Sequence, residues 1–151
     1  MLLLILSLSL FFPGQPEPLQ VGDSIPVLNL RDQHGEKHVV EPGGRWLVIA
    51  FDKPGAGIAQ KWLRNETDLA TLSVTFVLDA SQMKEKIREK MVLPRLRKIN
   101  QRVLIVYDTE FRNRFPWRKR SLTALKLNPE GIIQEIHFVE KTPEINALVN
   151  L

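Results

Sequence analysis

Continuous runs of apolar residues mark most of the strands in this chain. Such runs are typical of strands that are buried on both faces of a sheet. The last run alternates apolar and polar positions, which favours a strand whose two faces differ, one buried and the other exposed to solvent. The predicted strands are Trp46–Phe51, Val74–Leu78, Arg102–Tyr107, Leu122–Leu127 and Ile132–Val139.

Three helices are predicted between and after these strands. Apolar residues recur at helical spacing in the first of them. Ser81 is expected to cap the second helix, which Pro94 should end or kink, and Thr142 is expected to cap the third. The predicted helices run from Ile58 to about Leu72, from Gln82 to about Leu93 and from Pro143 to Leu151.

Turn-forming residues predict a hairpin at each end of the domain. The extended segment Leu19–Leu30 is followed by a polar turn, after which Lys37–Val40 is expected to pair back. The Asn-Pro-Glu-Gly turn at residues 128–131 joins the last two strands. The element order is therefore a hairpin, then strand–helix–strand–helix–strand, then a second hairpin and a helix, which predicts an α/β fold.

That order is the plan of the thioredoxin-like superfamily, which the chain resembles from Leu19 to Leu151. The resemblance is carried by Val21–Pro26 with Asp32–Gly35, by the strand–loop–helix of Trp46–Leu63, and by Thr123–Ile133 ahead of the last helix. It implies a three-layer α/β sandwich with a central mixed sheet, helices on both faces and an extra N-terminal β-hairpin.

More narrowly, the chain is similar to the YtfJ-type family of exported thioredoxin-like proteins. Like them, it opens with a Gly-x-x-x-Pro segment, here Gly22–Pro26, and has a Gly-rich loop where the cysteines would be. It also carries a Val-x-Asp…Arg-Asn pattern, here Val106–Asp108 with Arg112–Asn113. This resemblance implies an exported domain and brings no established biochemical activity with it.

The chain contains no Cys, which excludes disulfides, thiolate catalysis and Cys-ligated metal centres. In thioredoxin-like proteins, the reactive Cys stands at the N-terminus of the first long helix and faces a cis-proline loop. Here the matching loop is Asp52–Gly57, and Ser121–Leu122 occupies the position of the proline. Thiol–disulfide exchange and peroxidase activity are therefore not expected, and the sequence assigns no catalytic residue.

The same loop offers a different kind of site. Backbone N–H groups at a helix N-terminus, next to a lysine, favour the binding of an anion. We therefore consider a nucleotide or phosphate site formed by Asp52, Lys53, Gly55, Ala56 and Gly57, with Asp79 from the end of the next strand. The alternative is that the glycines form a structural turn and that both aspartates cap helices.

Basic residues are concentrated in the second half of the chain. Residues 1–75 carry 6 basic and 8 acidic residues, whereas residues 76–151 carry 15 basic and 9 acidic residues. Together with the cations of Lys84–Lys98, a later basic segment is a candidate site for a polyanion such as nucleic acid, anionic lipid or an acidic protein. The alternative is a solvated face whose aromatic residues pack inward. The basic segment consists of Arg112, Arg114, Arg118, Lys119 and Arg120.

Residues 1–18 are interpreted separately from the domain at residues 19–151. Met1–Phe12 is apolar but too short to span a bilayer, and it matches the apolar region of a signal peptide followed by a Pro-rich linker. We therefore expect a periplasmic or secreted protein. The alternatives are an uncleaved anchor and, if this segment is not a signal, a cytoplasmic protein.

Two classes of function are left open by the sequence. The first is an exported, non-redox thioredoxin-like binding module whose partner is an unidentified protein or a small anion. The second is an enzyme or carrier for an anionic molecule at Lys53–Gly57, or polyanion binding through the basic half, with nucleic acid disfavoured in an exported protein. No cofactor and no metal site are expected, because His34 and His38 flank a turn and do not share a helix face.

Overall fold

A single seven-stranded sheet of order β2-β1-β5-β4-β3-β6-β7 forms the centre of the protein. The computed structural model describes residues 17–40, 45–64 and 68–150. Strands β3, β4 and β5 are parallel to one another, and the other pairings are antiparallel. The strands are β1 Leu28–Asp32, β2 Lys37–Val40, β3 Trp46–Ala50, β4 Val74–Asp79, β5 Leu104–Val106, β6 Leu122–Leu127 and β7 Ile133–Val139.

Helices cover both faces of this sheet. They are α1 Lys53–Arg64, α2 Glu85–Ile87, a π-turn at Arg88–Val92, α3 Leu93–Leu96, α4 Phe111–Arg114 and α5 Thr142–Val149. Because successive residues of a strand point to opposite faces, Trp46 and Val48 join the core under α1, α3 and α5. Leu47 and Ile49 join the core on the other face, with Phe111 of α4. The predicted three-layer α/β fold with an extra N-terminal hairpin is confirmed.

The predicted strands are confirmed, with two differences in extent. Strand β5 is shorter than expected, and β1 begins at Leu28 although the extended segment begins at Leu19. Residues before β1 are bonded elsewhere: the N–H groups of Gly22 and Ile25 donate to the carbonyls of Ile133 and Gly131. The N-terminal segment therefore crosses from the β7 side of the sheet before it enters β1.

Helix α1 begins five residues earlier than the apolar pattern predicted. Its first residue is Lys53, not Ile58, and it ends at Arg64. The residues expected to form a Pro/Gly loop are therefore its first turn. The carboxylate of Asp52 caps the helix by accepting a hydrogen bond from the Gly55 N–H at 2.8 Å, and Pro is well tolerated at the start of a helix.

The second predicted helix is wrong at both ends. It starts at Glu85, because the Ser81 N–H bonds to Asp79 Oδ1 at 2.9 Å and a turn follows. Ser81 is therefore not its cap. Of the two outcomes predicted at Pro94, an end to the helix is wrong, since the helical path continues to Leu96, and a kink stays a prediction. The π-helical segment Arg88–Val92 lies just before Leu93 and Pro94. The Leu93 N–H donates to the Arg88 carbonyl, so the hydrogen-bond register changes next to Pro94, which has no N–H to donate.

The last helix also starts differently from the prediction. Thr142 is the first residue of α5, and its hydroxyl lies 3.3 Å from the Ile58 carbonyl of α1, so it does not cap its own helix. The helix ends at Val149. Thr142 therefore helps to join α5 to α1.

Residues 1–16, which include most of the predicted signal peptide or anchor and Pro-rich linker at residues 1–18, lie outside the described residues, as does Leu151. Within the described ranges, no helix is long and apolar enough to cross a membrane.

Candidate functional site

The parallel strands β3, β4 and β5 define two edges of the sheet. We call the edge where they end the carboxyl edge and the edge where they begin the amino edge. In open α/β sheets, ligands bind most often at the carboxyl edge. Helix α1 begins there, directly after β3, and β6 also begins there because it runs antiparallel to β3, with Leu122 opposite Ala50.

Asp52 occupies the N-terminus of α1. One carboxylate oxygen, Oδ1, accepts a hydrogen bond from the Gly55 N–H, and the other accepts one from the Arg120 N–H at 2.7 Å. The backbone carbonyl of Asp52 accepts the Ala56 N–H at 2.9 Å. Asp52 therefore caps the helix, as the structural alternative predicted, and also links it to the segment before β6.

Gly55 brings α1 against that segment. A Cβ atom at Gly55 would lie 2.7 Å from the Ser121 carbonyl oxygen and 3.1 Å from Asp52 Oδ1. Neither distance leaves room for a side chain. At Gly57, by contrast, a Cβ would meet nothing within 4 Å. Close backbone approach therefore requires Gly55 but does not require Gly57.

The segment opposite α1 lacks the proline that faces the thiols in thioredoxin-like proteins. No cis peptide bond occurs in the part of the chain that the structure describes. Arg120 adopts a left-handed backbone with φ of 61°, which is uncommon for a residue with a side chain. This conformation accompanies the hydrogen bond from its N–H to Asp52.

Asp79 ends β4 at the same edge and is buried. Its Oδ1 accepts the Ser81 N–H, and its Oδ2 lies 3.7 Å from Arg112 Nε. Arg112 also donates from Nη2 to the Phe51 carbonyl at 2.8 Å, and its guanidinium lies 4.4 Å from the centre of the Trp117 ring. Asp79 therefore does not cap a helix. It is part of a buried charged contact that holds α4 against the ends of β3 and β4.

These contacts bear on the anion site predicted at this edge. Five of its six residues are consecutive or nearly so, because Lys53, Gly55, Ala56 and Gly57 follow Asp52 at the start of α1, and Asp79 ends the neighbouring strand β4 at the same edge. The Gly55 N–H, however, already bonds to a carboxylate, and Pro54 has no N–H to offer. A negative charge at the same helix end disfavours a second anion. Ligand binding here stays a prediction.

Two of the five cations in the basic segment have a side-chain contact within the protein: Arg112 lies against Asp79, and the Arg118 guanidinium lies 4.3 Å from the centre of the Phe138 ring. Arg120 bonds to Asp52 through its backbone N–H, so its charge takes no part in that contact. Arg114, Lys119 and Arg120 are exposed. Polyanion binding through this segment also stays a prediction.

The predicted packing of the aromatic residues in this segment is confirmed. Phe111 and Phe115 are buried, with their ring centres 4.6 Å apart, and Trp117 is partly buried against the same core. The rings lie against the sheet and leave the guanidinium groups of Arg114 and Arg118 on the outside. The segment is therefore built around an aromatic core with cations at its rim.

A further group of polar side chains was missed from the sequence. The β1–β2 hairpin brings Asp32, Glu36 and His38 together, with candidate ligand atoms within 4.8 Å of one another. One imidazole nitrogen and two carboxylates suit a divalent cation such as zinc. The Asp-x-x-x-Glu-x-His spacing was the available signal, because β1 and β2 pair across a short turn.

In the structure, this group closes the hairpin. Asp32 Oδ2 lies 2.7 Å from His38 Nε2, and its Oδ1 accepts the N–H groups of His34 and Glu36. Burial alone would raise the pKa of Asp32, but the hydrogen bonds with His38, His34 and Glu36 outweigh it and lower the pKa below its usual value. These bonds join the side chains of Asp32 and His38, whereas Glu36 takes part through its backbone N–H, and the expectation that no metal binds here stays a prediction.

No family model matches this sequence, and no curated protein matches it. Solved structures do match. A peroxiredoxin-like protein from Aquifex aeolicus is similar with a TM-score of 0.57 and 14% identity, over 90% of this chain and 87% of that one. Peroxidoxin BcpB from Mycobacterium tuberculosis has a TM-score of 0.59 and 12% identity, over 87% of this chain and 95% of that one.

A thioredoxin domain of a thiol-disulfide oxidoreductase from Bacteroides vulgatus is also similar. Its TM-score is 0.52 and its identity 14%, over 87% of this chain and 99% of that domain. At these identities the likeness establishes the fold alone. The chain has a thioredoxin-like fold, and it has no Cys with which to perform the thiol chemistry named for these neighbours.

Proposed function

We propose that this chain is an exported, non-redox thioredoxin-like binding module. The contact of Gly55 with Ser121 supports the non-redox part. The carbonyl of Ser121 lies where a side chain at position 55 would have to be. The carboxylate of Asp52 accepts the Gly55 N–H, which lies at the helix N-terminus, where a thiolate would be stabilised. With no Cys in the chain, the edge that carries thiol chemistry in related folds is closed by internal contacts.

The binding role is proposed because the thioredoxin-like fold is present while the Cys that performs thiol chemistry is absent. The similarity to YtfJ-type proteins favours a module outside the cytoplasm. The partner is an unidentified protein or a small anion. The apolar segment Met1–Phe12 supports export.

Activity assays on the full chain test the non-redox claim. We expect no reduction of insulin disulfides and no consumption of hydrogen peroxide above the buffer rate, with a thioredoxin and a peroxiredoxin as positive controls. Turnover in either assay would overturn the proposal. A thermal-shift screen of nucleotides, phosphates and carboxylates tests binding, since a ligand that binds only the folded state raises the Tm.

Fractionation of cells that express the full chain with a C-terminal tag tests export. The tagged protein should be recovered from the periplasm or medium, shortened by removal of its apolar segment. Recovery of the uncleaved chain from the cytoplasm alone would remove export from the proposal and leave the binding role in place.

A further inference from the structure

A cleft lies at the amino edge of the sheet, at the end of α1 that is far from Asp52. It forms because α1 and the α2–α3 segment each return from the carboxyl edge to the amino edge, so that their C-terminal ends meet beside the start of β5. Its volume is about 550 Å³, within the range of small-molecule sites. The lining residues are Gln60, Leu63, Arg64, Arg95, Lys98, Ile99, Asn100 and Gln101.

The charged residues described in the lining of this cleft are all cations. Arg64, Arg95 and Lys98 line it, all three are exposed, and no acidic side chain is among the described lining residues. None of the three makes an ion pair within the described part of the chain. Their neighbour Arg97 behaves differently, because its Nε donates to the Gln33 carbonyl at 3.2 Å.

A second depression adjoins the first. It has a volume of about 480 Å³, shares Arg64 with the cleft and adds Lys61, which lies with Arg64 in the last turn of α1. Thr142, Pro143 and Asn146 of α5 complete its wall, which is mostly apolar. The four cations Lys61, Arg64, Arg95 and Lys98 therefore line two depressions that share Arg64.

Helix ends account for only part of this pattern. Lys61 and Arg64 lie in the last turn of α1, where a cation interacts favourably with the helix dipole. That interaction is local to each helix and gives no reason for Arg95 and Lys98 to line the same cleft. Like charges that share a cleft repel one another unless an anion lies between them.

We propose that this cleft binds a small molecule that carries phosphate groups. The guanidinium groups of Arg64 and Arg95 match the geometry of phosphate oxygens, and Lys98 adds a point charge. Leu63 and Ile99 provide apolar contact for the remainder of the ligand, and the side-chain amide of Asn100 provides hydrogen bonds. This inference rests on the proposed binding function and names its ligand class and its site.

Calorimetric titration of the full chain with inorganic pyrophosphate at low salt tests the proposal. The double variant Arg95→Gln/Lys98→Gln should bind at least about tenfold more weakly, because two charge-assisted contacts are removed. The matched control is Lys37→Gln/Lys141→Gln, which removes two exposed cations that belong neither to the cleft nor to the basic segment. The control should bind within about twofold of the wild type, because distant exposed charges are screened.

Three results would overturn the proposal: no pyrophosphate binding by the wild type, equal losses in the two double variants, or tighter binding of citrate than of pyrophosphate at the same residues. If a short single-stranded RNA binds through the cleft more tightly than pyrophosphate does, the ligand class is nucleic acid and the proposal of a small molecule is overturned. The outcome is separable from the non-redox claim. If pyrophosphate does not bind in the cleft, the proposal of a non-redox module stands without this ligand. If the protein reduces disulfides, that proposal is overturned whatever the cleft binds.

Discussion

The carboxylates of Asp52 and Asp79 at the carboxyl edge of the sheet have partners inside the protein, whereas the cations of the amino-edge cleft make no ion pair among the described residues. Asp52 bonds to α1 and to Arg120, and Asp79 faces Arg112. Arg64 and Arg95 of the cleft are exposed and make no ion pair there. The first set contributes to holding the fold together, and the second is available to a ligand.

In open α/β sheets the site most often lies at the carboxyl edge, so the cleft proposed at the amino edge departs from that expectation. Here the structure uses that edge to join α1, α4 and β6. Two measurements on each variant distinguish the two roles. Loss of a residue that supports stability should lower the free energy of unfolding, whereas loss of a residue that supports binding should lower the affinity for an anion. The predictions below apply that comparison.

The largest effect is expected from Arg112→Met. The variant leaves the carboxylate of buried Asp79 without its cation and removes the hydrogen bond to the Phe51 carbonyl. Breaking such a pair should lower the free energy of unfolding by about 3 kcal/mol, measured by urea denaturation. The control Arg114→Met removes an exposed cation and should change it by less than about 0.5 kcal/mol. Equal effects of the two variants would contradict the structural role of Arg112.

A second pair of variants separates the two glycines of α1. Gly55→Ala places a Cβ against the Ser121 carbonyl and should destabilise the protein by about 2 kcal/mol. Gly57→Ala meets open space and should stabilise it by up to about 1 kcal/mol through helix propensity. Thermal unfolding of both variants checks the sign. A Gly55→Ala protein as stable as the wild type would mean that α1 does not press against β6.

The helix cap should contribute less than these contacts. Asp52→Ala removes the acceptors of two backbone N–H groups and should cost about 1 kcal/mol. Asp52→Asn keeps one oxygen acceptor and should cost less. Urea denaturation of both gives the order of stability, which is expected to be wild type, then Asn, then Ala.

The same Asp52 variants sharpen the contrast between the two edges. If the carboxylate is what keeps anions from α1, Asp52→Asn should gain weak pyrophosphate binding there. If Asp52→Asn gains no pyrophosphate binding, steric contacts alone keep anions from the first turn of α1.

The Asp32–His38 contact predicts a dependence on acid. Because the pKa of Asp32 is lowered in the folded protein, its contribution to stability is present above its usual pKa and is lost as the pH falls through the lower folded value. The free energy of unfolding should therefore decrease between about pH 5 and pH 3. Asp32→Asn should flatten that decrease, and an unchanged slope would show that Asp32 is not its source.

The smallest effect on stability is expected in the cleft. Arg95→Gln/Lys98→Gln should change the free energy of unfolding by no more than about 0.5 kcal/mol, with any change in the stabilising direction at low salt. A loss of more than about 1 kcal/mol would mean that these cations have partners within the fold.

Most of the architecture was predictable because it depends on local patterns. Apolar runs located β3, β4, β6 and β7 to within about a residue or two. The turn at Asn128 was also predicted correctly: Gly131 has φ of 79°, and its N–H donates to the Asn128 carbonyl. The errors arose where distant groups decide the outcome. The start of α1 depends on Asp52 and on the approach of Ser121, which no helical periodicity reveals.

The candidate sites were harder to predict for the same reason. Asp79 and Arg112 are far apart in sequence, and their contact depends on how α4 folds onto the sheet. The cleft combines Arg64 with Arg95 and Lys98, which meet only because two crossover segments end at the same edge. In the sequence, Arg64 belongs to the acidic half and the other two to a longer run of cations, so nothing local separates them from Arg97.

Mapping pyrophosphate onto the full chain by backbone amide chemical shifts tests most directly which edge binds. The largest shifts should fall on Arg64, Arg95, Lys98 and their neighbours Ile99 to Gln101, and they should saturate with added pyrophosphate. The first turn of α1, from Lys53 to Gly57, should not move. Shifts that saturate at Lys53–Gly57 and leave the cleft unchanged would contradict the account and return the site to the carboxyl edge.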